Sequence, residues 1–214
     1  MLLGVSKAQP AGAVRALAAA GLLRFGESYL AETAAKQPLL SDLPIEWHFV
    51  GRIQSNKTRE IAGRFAWVHS VDSIRIAQRL NDQRPPALPP LDVCIQVNLD
   101  GELTKGGLPR AAVLALASAV PALPRLRLRG LMSIPHPRAG YEEQCASFAA
   151  VRELYDELRS HGLSLDTLSM GMSDDLEAAI AEGATIVRVG TALFGERQVA
   201  GTSRQASGQR PPDT

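Results

Sequence analysis

The chain of 214 residues is 45% hydrophobic and 21% charged, enough apolar material for one substantial core at the composition of an ordinary globular domain. Its 23 Lys and Arg against 22 Asp and Glu leave a net charge of +1, which offers no footprint for a phosphate backbone and argues against a nucleic-acid partner. Cys94 and Cys145 form no C-x-x-C pair, and charge breaks every apolar run before it reaches membrane-spanning length. Disulfide framework, zinc knuckle and membrane anchor are therefore not indicated, and a reducing cytoplasm is the expected compartment.

Short runs rich in Val, Ile, Leu and Phe alternate with Ala-rich stretches that carry charges at helical spacing. In chain order, strands are predicted over 2–6, 22–25, 46–50, 66–70, 92–98, 127–132, 165–170 and 185–189. Helices are predicted over 10–20, 27–36, 55–62, 73–82, 110–120, 141–161 and 176–182. Eight strands with helical crossovers point to a single (β/α)8 TIM barrel over 1–196. The alternative, an open doubly wound sheet, requires a Gly-rich phosphate turn, and no G-x-G-x-x-G occurs. A Pro-rich connector, QRPPALPP, lies at 83–90, and a tail over 197–214 rich in Ser, Gly, Gln and Pro is expected to be disordered.

On a barrel the active face lies where strands end, and polar residues or glycines follow the predicted strands: Ser6-Lys7, Gly26 to Tyr29, Gly51 to Lys57, Ser133, Met170 to Ser173, and Gly190-Thr191. The chain has four lysines, Lys7, Lys36, Lys57 and Lys105. Lys36 falls on a helix and reads as solvated, and Lys57 and Lys105 fall in loops suited to solvent or an anion. Lys7 alone directly follows a buried strand, where partial desolvation favours the neutral amine that attacks an aldehyde. From position alone, an ion pair at the barrel mouth is an equally good reading of Lys7.

Ser173, Gly190 and Thr191 follow strands seven and eight, the usual phosphate place on this fold. Gly190 allows close backbone approach, while Ser173 and Thr191 offer hydroxyls. The competing reading is that Ser173 or Asp174 caps the next helix, with Asp174 and Glu177 as a capping box. The two carboxylates at 174 and 175 are expected to point away from a phosphate. Strand alternation turns Arg188 inward, either into a core ion pair with an acid such as Glu27 or toward a ligand that accepts hydrogen bonds. Met170 and Met172 either line the site or fill the core. His48 and His69 lack metal-ligand spacing and read as hydrogen-bonded barrel residues.

LLGVSK at 2–7, FGESYLAE at 25–32, IEWHFVGRIQSNK at 45–57, VHSVDS at 68–73, CIQVNLDGELTKGG at 94–107, RLRGLMSIP at 127–135, LSMGMSDDLEAAIAEGAT at 168–185 and VRVGTALFG at 187–195 form a familiar series. Over nearly all of 2–196 the chain resembles the pyridoxal phosphate homeostasis protein family, relatives of the barrel domain of alanine racemase. The resemblance implies that Lys7 forms a Schiff base with pyridoxal phosphate. It also implies that Ser173, Gly190 and Thr191 hold the phosphate, that Arg188 faces the pyridine nitrogen, and that Ser28 and Met170 lie beside the cofactor. The sequence departs from the family twice. It begins at Met1-Leu2 without the helix that usually precedes the V-S-K strand. Either the start was called late or this member lacks that helix, with a less covered barrel bottom expected in the second case. Ser28 stands where the family has Asn.

The resemblance implies a non-catalytic carrier with pyridoxal phosphate as its ligand and enzymes that use it as recipients. A monomer is the simplest expectation, since no extended apolar patch can be assigned from the sequence. A guanidinium facing the ring nitrogen agrees, because it only donates hydrogen bonds and makes the ring a weak electron sink. An amino-acid racemase related to alanine racemase is the alternative. It requires a second acid/base group from a further domain, and only nineteen residues follow Gly195. A barrel that binds some other phosphate and never forms an imine is a third reading.

Overall fold

The computed structural model describes residues 1–102 and 106–195. The expected tail and Lys105 lie outside the described residues. The strands are β1 (Leu2–Val5), β2 (Arg24–Glu27), β3 (Glu46–Phe49), β4 (Trp67–Val71), β5 (Leu91–Val97), β6 (Leu126–Ser133), β7 (Thr167–Ser169) and β8 (Val187–Val189). The helices are α1 (Ala11–Ala19), α2 (Leu30–Lys36), α3 (Thr58–Arg64), α4 (Ile74–Gln83), α5 (Arg110–Ala119), α6 (Tyr141–Ser160), α7 (Leu176–Ala181) and α8 (Thr191–Phe194). All strand pairs are parallel, in the order β7-β6-β5-β4-β3-β2-β1-β8. A single parallel bridge from Ser169 to Ile186 joins β7 toward β8 and nearly closes the barrel. The expected fold class is the one observed.

Alternation along each strand sorts residues between two cores. On β5, Val93, Ile95 and Val97 face outward and pack with Ile76 and Leu80 of α4 and Val113 and Leu116 of α5. Cys94 faces inward and joins Leu3, Trp67, Met132 and Ile186 in the barrel interior. A third cluster, Val14, Ala18, Phe25 and Leu40, seats α1 on β2. Where β6 passes Thr167 the backbones approach closely, and a Cβ on Gly130 would sit 1.8 Å from the Thr167 carbonyl oxygen. The register of β5 on β6 shifts at this point, between Val93 and Cys94.

A charged layer closes the end of the barrel where the strands begin. Asp92 pairs with Arg127 and, at 3.1 Å, with Arg129, which also reaches Asp166 at 2.7 Å and lies 4.6 Å from the centre of the Trp67 ring. The Pro-rich connector is fastened to this end. Arg84 donates to the carbonyls of Ala62, Phe65 and Pro89, and Arg125 donates to those of Pro85 and Leu88.

Two boundaries differ from expectation in ways that affect the site. β2 begins at Arg24 and runs through Glu27, so Gly26 and Glu27 belong to the strand rather than to the loop after it. A buried carboxylate breaks the apolar pattern from which the strand was placed. Helix α7 has Asp175 at its N-cap with no side-chain capping bond, so neither Ser173 nor Asp174 caps it. Asp175 Oδ1 instead accepts the Met172 N–H at 2.6 Å.

Candidate cofactor site

β1 ends in a tight turn that carries Lys7. The Ser6 N–H donates to the Gly26 carbonyl at 2.9 Å, and the Gln9 N–H closes the turn onto the Ser6 carbonyl at 3.1 Å. Lys7 and Ala8 are its central residues, and Ala8 has φ 60°, a left-handed conformation that this place in a turn usually gives to glycine. Behind the turn lies a buried ion pair. Ser6 Oγ donates to Glu27 Oε1 at 2.6 Å, and Lys36 Nζ reaches the same oxygen at 2.5 Å and the Ser6 carbonyl at 2.8 Å. Glu27 is 0% and Lys36 6% exposed. Glu32 Oε2 accepts the Ala8 N–H at 2.8 Å. The backbone is therefore held on both sides of Lys7, and the half-buried side chain starts from a fixed root.

Lys36 is thus not solvated, because the inner face of α2 turns it onto Glu27. The same pair removes Glu27 as a partner for Arg188. Arg188 is 4% exposed and is held by neutral acceptors: Nη1 donates to the Ser169 carbonyl at 2.6 Å and to Ser169 Oγ at 2.9 Å, and Nη2 donates to the Ser133 carbonyl at 2.8 Å. Burial pulls its guanidinium down to about 10, which leaves it cationic at neutral pH.

Lys7, Ser28, Ser173, Arg188, Gly190 and Thr191 all line one cleft of about 210 Å³ at the strand-end face. Val5, Val50, Ile134 and Met172 supply apolar surface, and Asp174 also lines the cleft. Gly190 and Thr191 open α8, and the first N–H groups of a helix have no acceptor within it, which suits an anion. Gly51 backs Ser28 so tightly that a Cβ there would lie 2.5 Å from the Ser28 carbonyl oxygen. A second cleft of about 610 Å³ shares Lys7, Ser28 and Val50 and extends to Arg52 and Lys57, so Lys7 stands where the two meet.

Met170 is placed elsewhere. It is 0% exposed in the outer core, and its neighbour Ser169 takes the inward position. His48 and His69 are hydrogen-bonded inside the barrel, as expected, and the described residues hold no cluster suited to a metal. Cys94 is fully buried and its thiol is pushed up by desolvation, so it is inert. No helix among the described residues is long and apolar enough to cross a membrane. Sequence reasoning missed the pairing of Glu27 with Lys36 and the place of Ser169. The stripe Leu30, Thr33, Lys36, Leu40 at helical spacing was the available signal for Lys36.

Fold and cleft together define a barrel of the alanine racemase type, and the family model described as alanine racemase, N-terminal domain, matches residues 1–198. The chain is 63% identical over 196 residues to the pyridoxal phosphate homeostasis protein of Pseudomonas aeruginosa, covering 92% of this chain and 84% of that protein. It is 49% identical over 199 residues to the protein of the same name from Escherichia coli, covering 92% and 85%. The chain belongs to the pyridoxal phosphate homeostasis protein family. Among solved structures, PipY of Synechococcus elongatus with pyridoxal phosphate bound matches at a TM-score of 0.85 and 42% identity, covering 91% of this chain and 92% of that one. Alanine racemase of Clostridium difficile shares the fold, with a TM-score of 0.76 at 16% identity over 91% of this chain and 52% of that one.

Proposed function

We propose that this chain is a non-catalytic carrier of pyridoxal 5′-phosphate that holds it as a Schiff base on Lys7. The observation that carries the reading is that Lys7, the phosphate-place residues Ser173, Gly190 and Thr191, and the buried Arg188 all line one cleft. When bound, pyridoxal phosphate supplies an aldehyde, a dianionic phosphate and a ring nitrogen. Lys7 offers the amine from a hydrogen-bonded turn. Ser173 and Thr191 offer hydroxyls, and Gly190 lets the backbone come close to the anion. Ser28 offers a hydroxyl on the Lys7 side. Arg188 presents only donors, so it stabilises an unprotonated ring nitrogen and works against the electron sink that amino-acid chemistry needs.

In this proposal residues 1–196 are the pyridoxal phosphate-binding barrel, a monomer in the cytoplasm that passes its cargo to apoenzymes dependent on pyridoxal phosphate. Membership in a family named for homeostasis supports the role. Borohydride reduction of the loaded protein followed by peptide mass spectrometry tests the attachment. The adduct is expected on the peptide that contains Lys7, and an adduct only at Lys57 or Lys105, or none, overturns the assignment. Racemisation of a common L-amino acid that disappears in Lys7→Ala would overturn the non-catalytic role.

A further inference from the structure

Arg188 is one end of a hydrogen-bonded chain that crosses the barrel interior. Arg188 Nη1 meets Ser169 Oγ at 2.9 Å, Ser169 Oγ lies 2.8 Å from His69 Nδ1, His69 Nε2 lies 2.9 Å from His48 Nδ1, and His48 Nε2 lies 3.0 Å from Glu46 Oε1. The chain passes from β8 to β7, crosses to β4, and ends on β3. Ser169, His69 and His48 are all 0% exposed, so no solvent competes along its length, whereas the Glu46 side chain is 41% exposed.

The carboxylate end and the neutrality of the two histidines fix the direction of every bond along it. A carboxylate only accepts, so His48 Nε2 carries the proton it shares with Glu46. With both buried imidazoles neutral, His48 Nδ1 accepts from His69 Nε2–H, His69 Nδ1 accepts from the Ser169 hydroxyl, and Ser169 Oγ accepts from Arg188, whose guanidinium has only donors. Desolvation lowers the affinity of both histidines for a second proton, most strongly at His69, and the His48 contact holds the Glu46 carboxyl below its usual range.

We propose that the interior chain runs one way, from Arg188 to Glu46, with His69 and His48 both held as neutral Nε2–H tautomers, and that Ser169, His69 and His48 are positioning residues for Arg188. By tying β8 to the opposite wall, they hold the guanidinium in the orientation it presents to the cleft. The consequence for the ligand rests on the reading of the cleft as a pyridoxal phosphate site, while the tautomers do not depend on it.

The tautomers are read first, by nitrogen-15 imidazole spectra of the full chain without ligand, with His48 and His69 assigned through His→Asn variants. Two buried histidines, neutral and protonated on Nε2 at pH 7, are expected. An Nδ1–H tautomer or a cation at either position overturns the proposal even if pyridoxal phosphate binds at Lys7. The positioning role is read with Ser169→Ala, which removes the hydroxyl between Arg188 and His69 and leaves both carbonyl contacts of Arg188. The expected result is a changed His69 signature, a shifted absorption maximum of the bound chromophore and a dissociation constant raised about three- to tenfold. Ser169→Thr restores all three. A Ser169→Ala protein with unchanged maximum and affinity overturns the positioning role, and if that variant does not fold, the spectra of the unaltered chain still decide the direction. Failure of the unaltered protein to bind pyridoxal phosphate would refute the cofactor reading and leave the tautomer result standing.

Discussion

Lys36→Met tests the buried pair that anchors the root of Lys7. The substitution keeps a long side chain on the inner face of α2 but removes the ammonium, and with it the bonds to Glu27 Oε1 and the Ser6 carbonyl. Glu27 is then a fully buried carboxylate whose remaining partner among the described residues is the Ser6 hydroxyl, since its other oxygen, Oε2, has no hydrogen-bond partner among them. Breaking one side of a buried pair costs about 3–5 kcal/mol, against about 0–1 kcal/mol for an exposed pair. For a chain of this size that corresponds to a melting temperature lower by roughly 6 to 20 °C. Urea denaturation followed by circular dichroism measures the loss directly. Glu27→Gln combined with Lys36→Met removes both charges and keeps an acceptor for Ser6, and it is expected to recover more than half of the loss. A single variant that loses less than about 1 kcal/mol, or a double variant no better than the single, would refute the claim that this pair governs the turn.

Three further outcomes are expected. Gly190→Ala folds with a stability change under about 1 kcal/mol, because the new Cβ meets the Val5 carbonyl at 3.5 Å, an ordinary contact; titration of pyridoxal phosphate should show affinity weakened about tenfold as the methyl enters the backbone approach. Ala8→Gly relieves the φ 60° conformation and should raise stability in urea by about 0.5–1 kcal/mol, and a loss instead would mean the turn is not strained. Burial lowers His48 and His69 from their ordinary 6.5, so below that pH the unfolded chain binds protons that the folded one refuses. Stability therefore rises with pH through this window and falls as pH drops below 6.5, by up to about 1.4 kcal/mol per pH unit for each histidine. Denaturation at pH 5, 6 and 7 should show a shallower slope in His69→Asn, and an unchanged slope would count against a neutral buried His69.

The strands of the barrel were legible as apolar runs because their outward faces bury Val, Ile, Leu and Phe against helices, whatever the inward face carries. The inward face was harder to read. Glu27 reads as following the strand because a carboxylate breaks an apolar run, and its partner lies nine residues further on, on a helix whose other charge, Glu32, holds the Ala8 N–H. Only the packing of α2 against the ends of β1 and β2 brings the two together. Lys7, Ser28, Ser173, Arg188, Gly190 and Thr191 were legible as residues near strand ends, a place that the barrel topology assigns to one mouth. Met170 was not, because its side of the strand depends on the register of β7, and the inward place there belongs to Ser169.

The partner of Arg188 illustrates what spacing leaves open. An inward arginine on a barrel strand predicts either a core acid, such as Glu27, or a ligand that accepts hydrogen bonds. The structure spends Glu27 on Lys36 and gives Arg188 two backbone carbonyls and a hydroxyl. Through hydrogen bonds its link to negative charge is indirect, four bonds away at Glu46, while Asp175 acts on it through space without a hydrogen bond. A directly paired carboxylate would have neutralised the guanidinium at the edge of the cleft. Neutral acceptors leave its charge intact where the cleft begins, and a ligand atom with a lone pair supplies the remaining acceptor. On the proposed reading of the cleft, this donor-only geometry would hold the ring nitrogen of pyridoxal phosphate unprotonated and so weaken the ring as an electron sink.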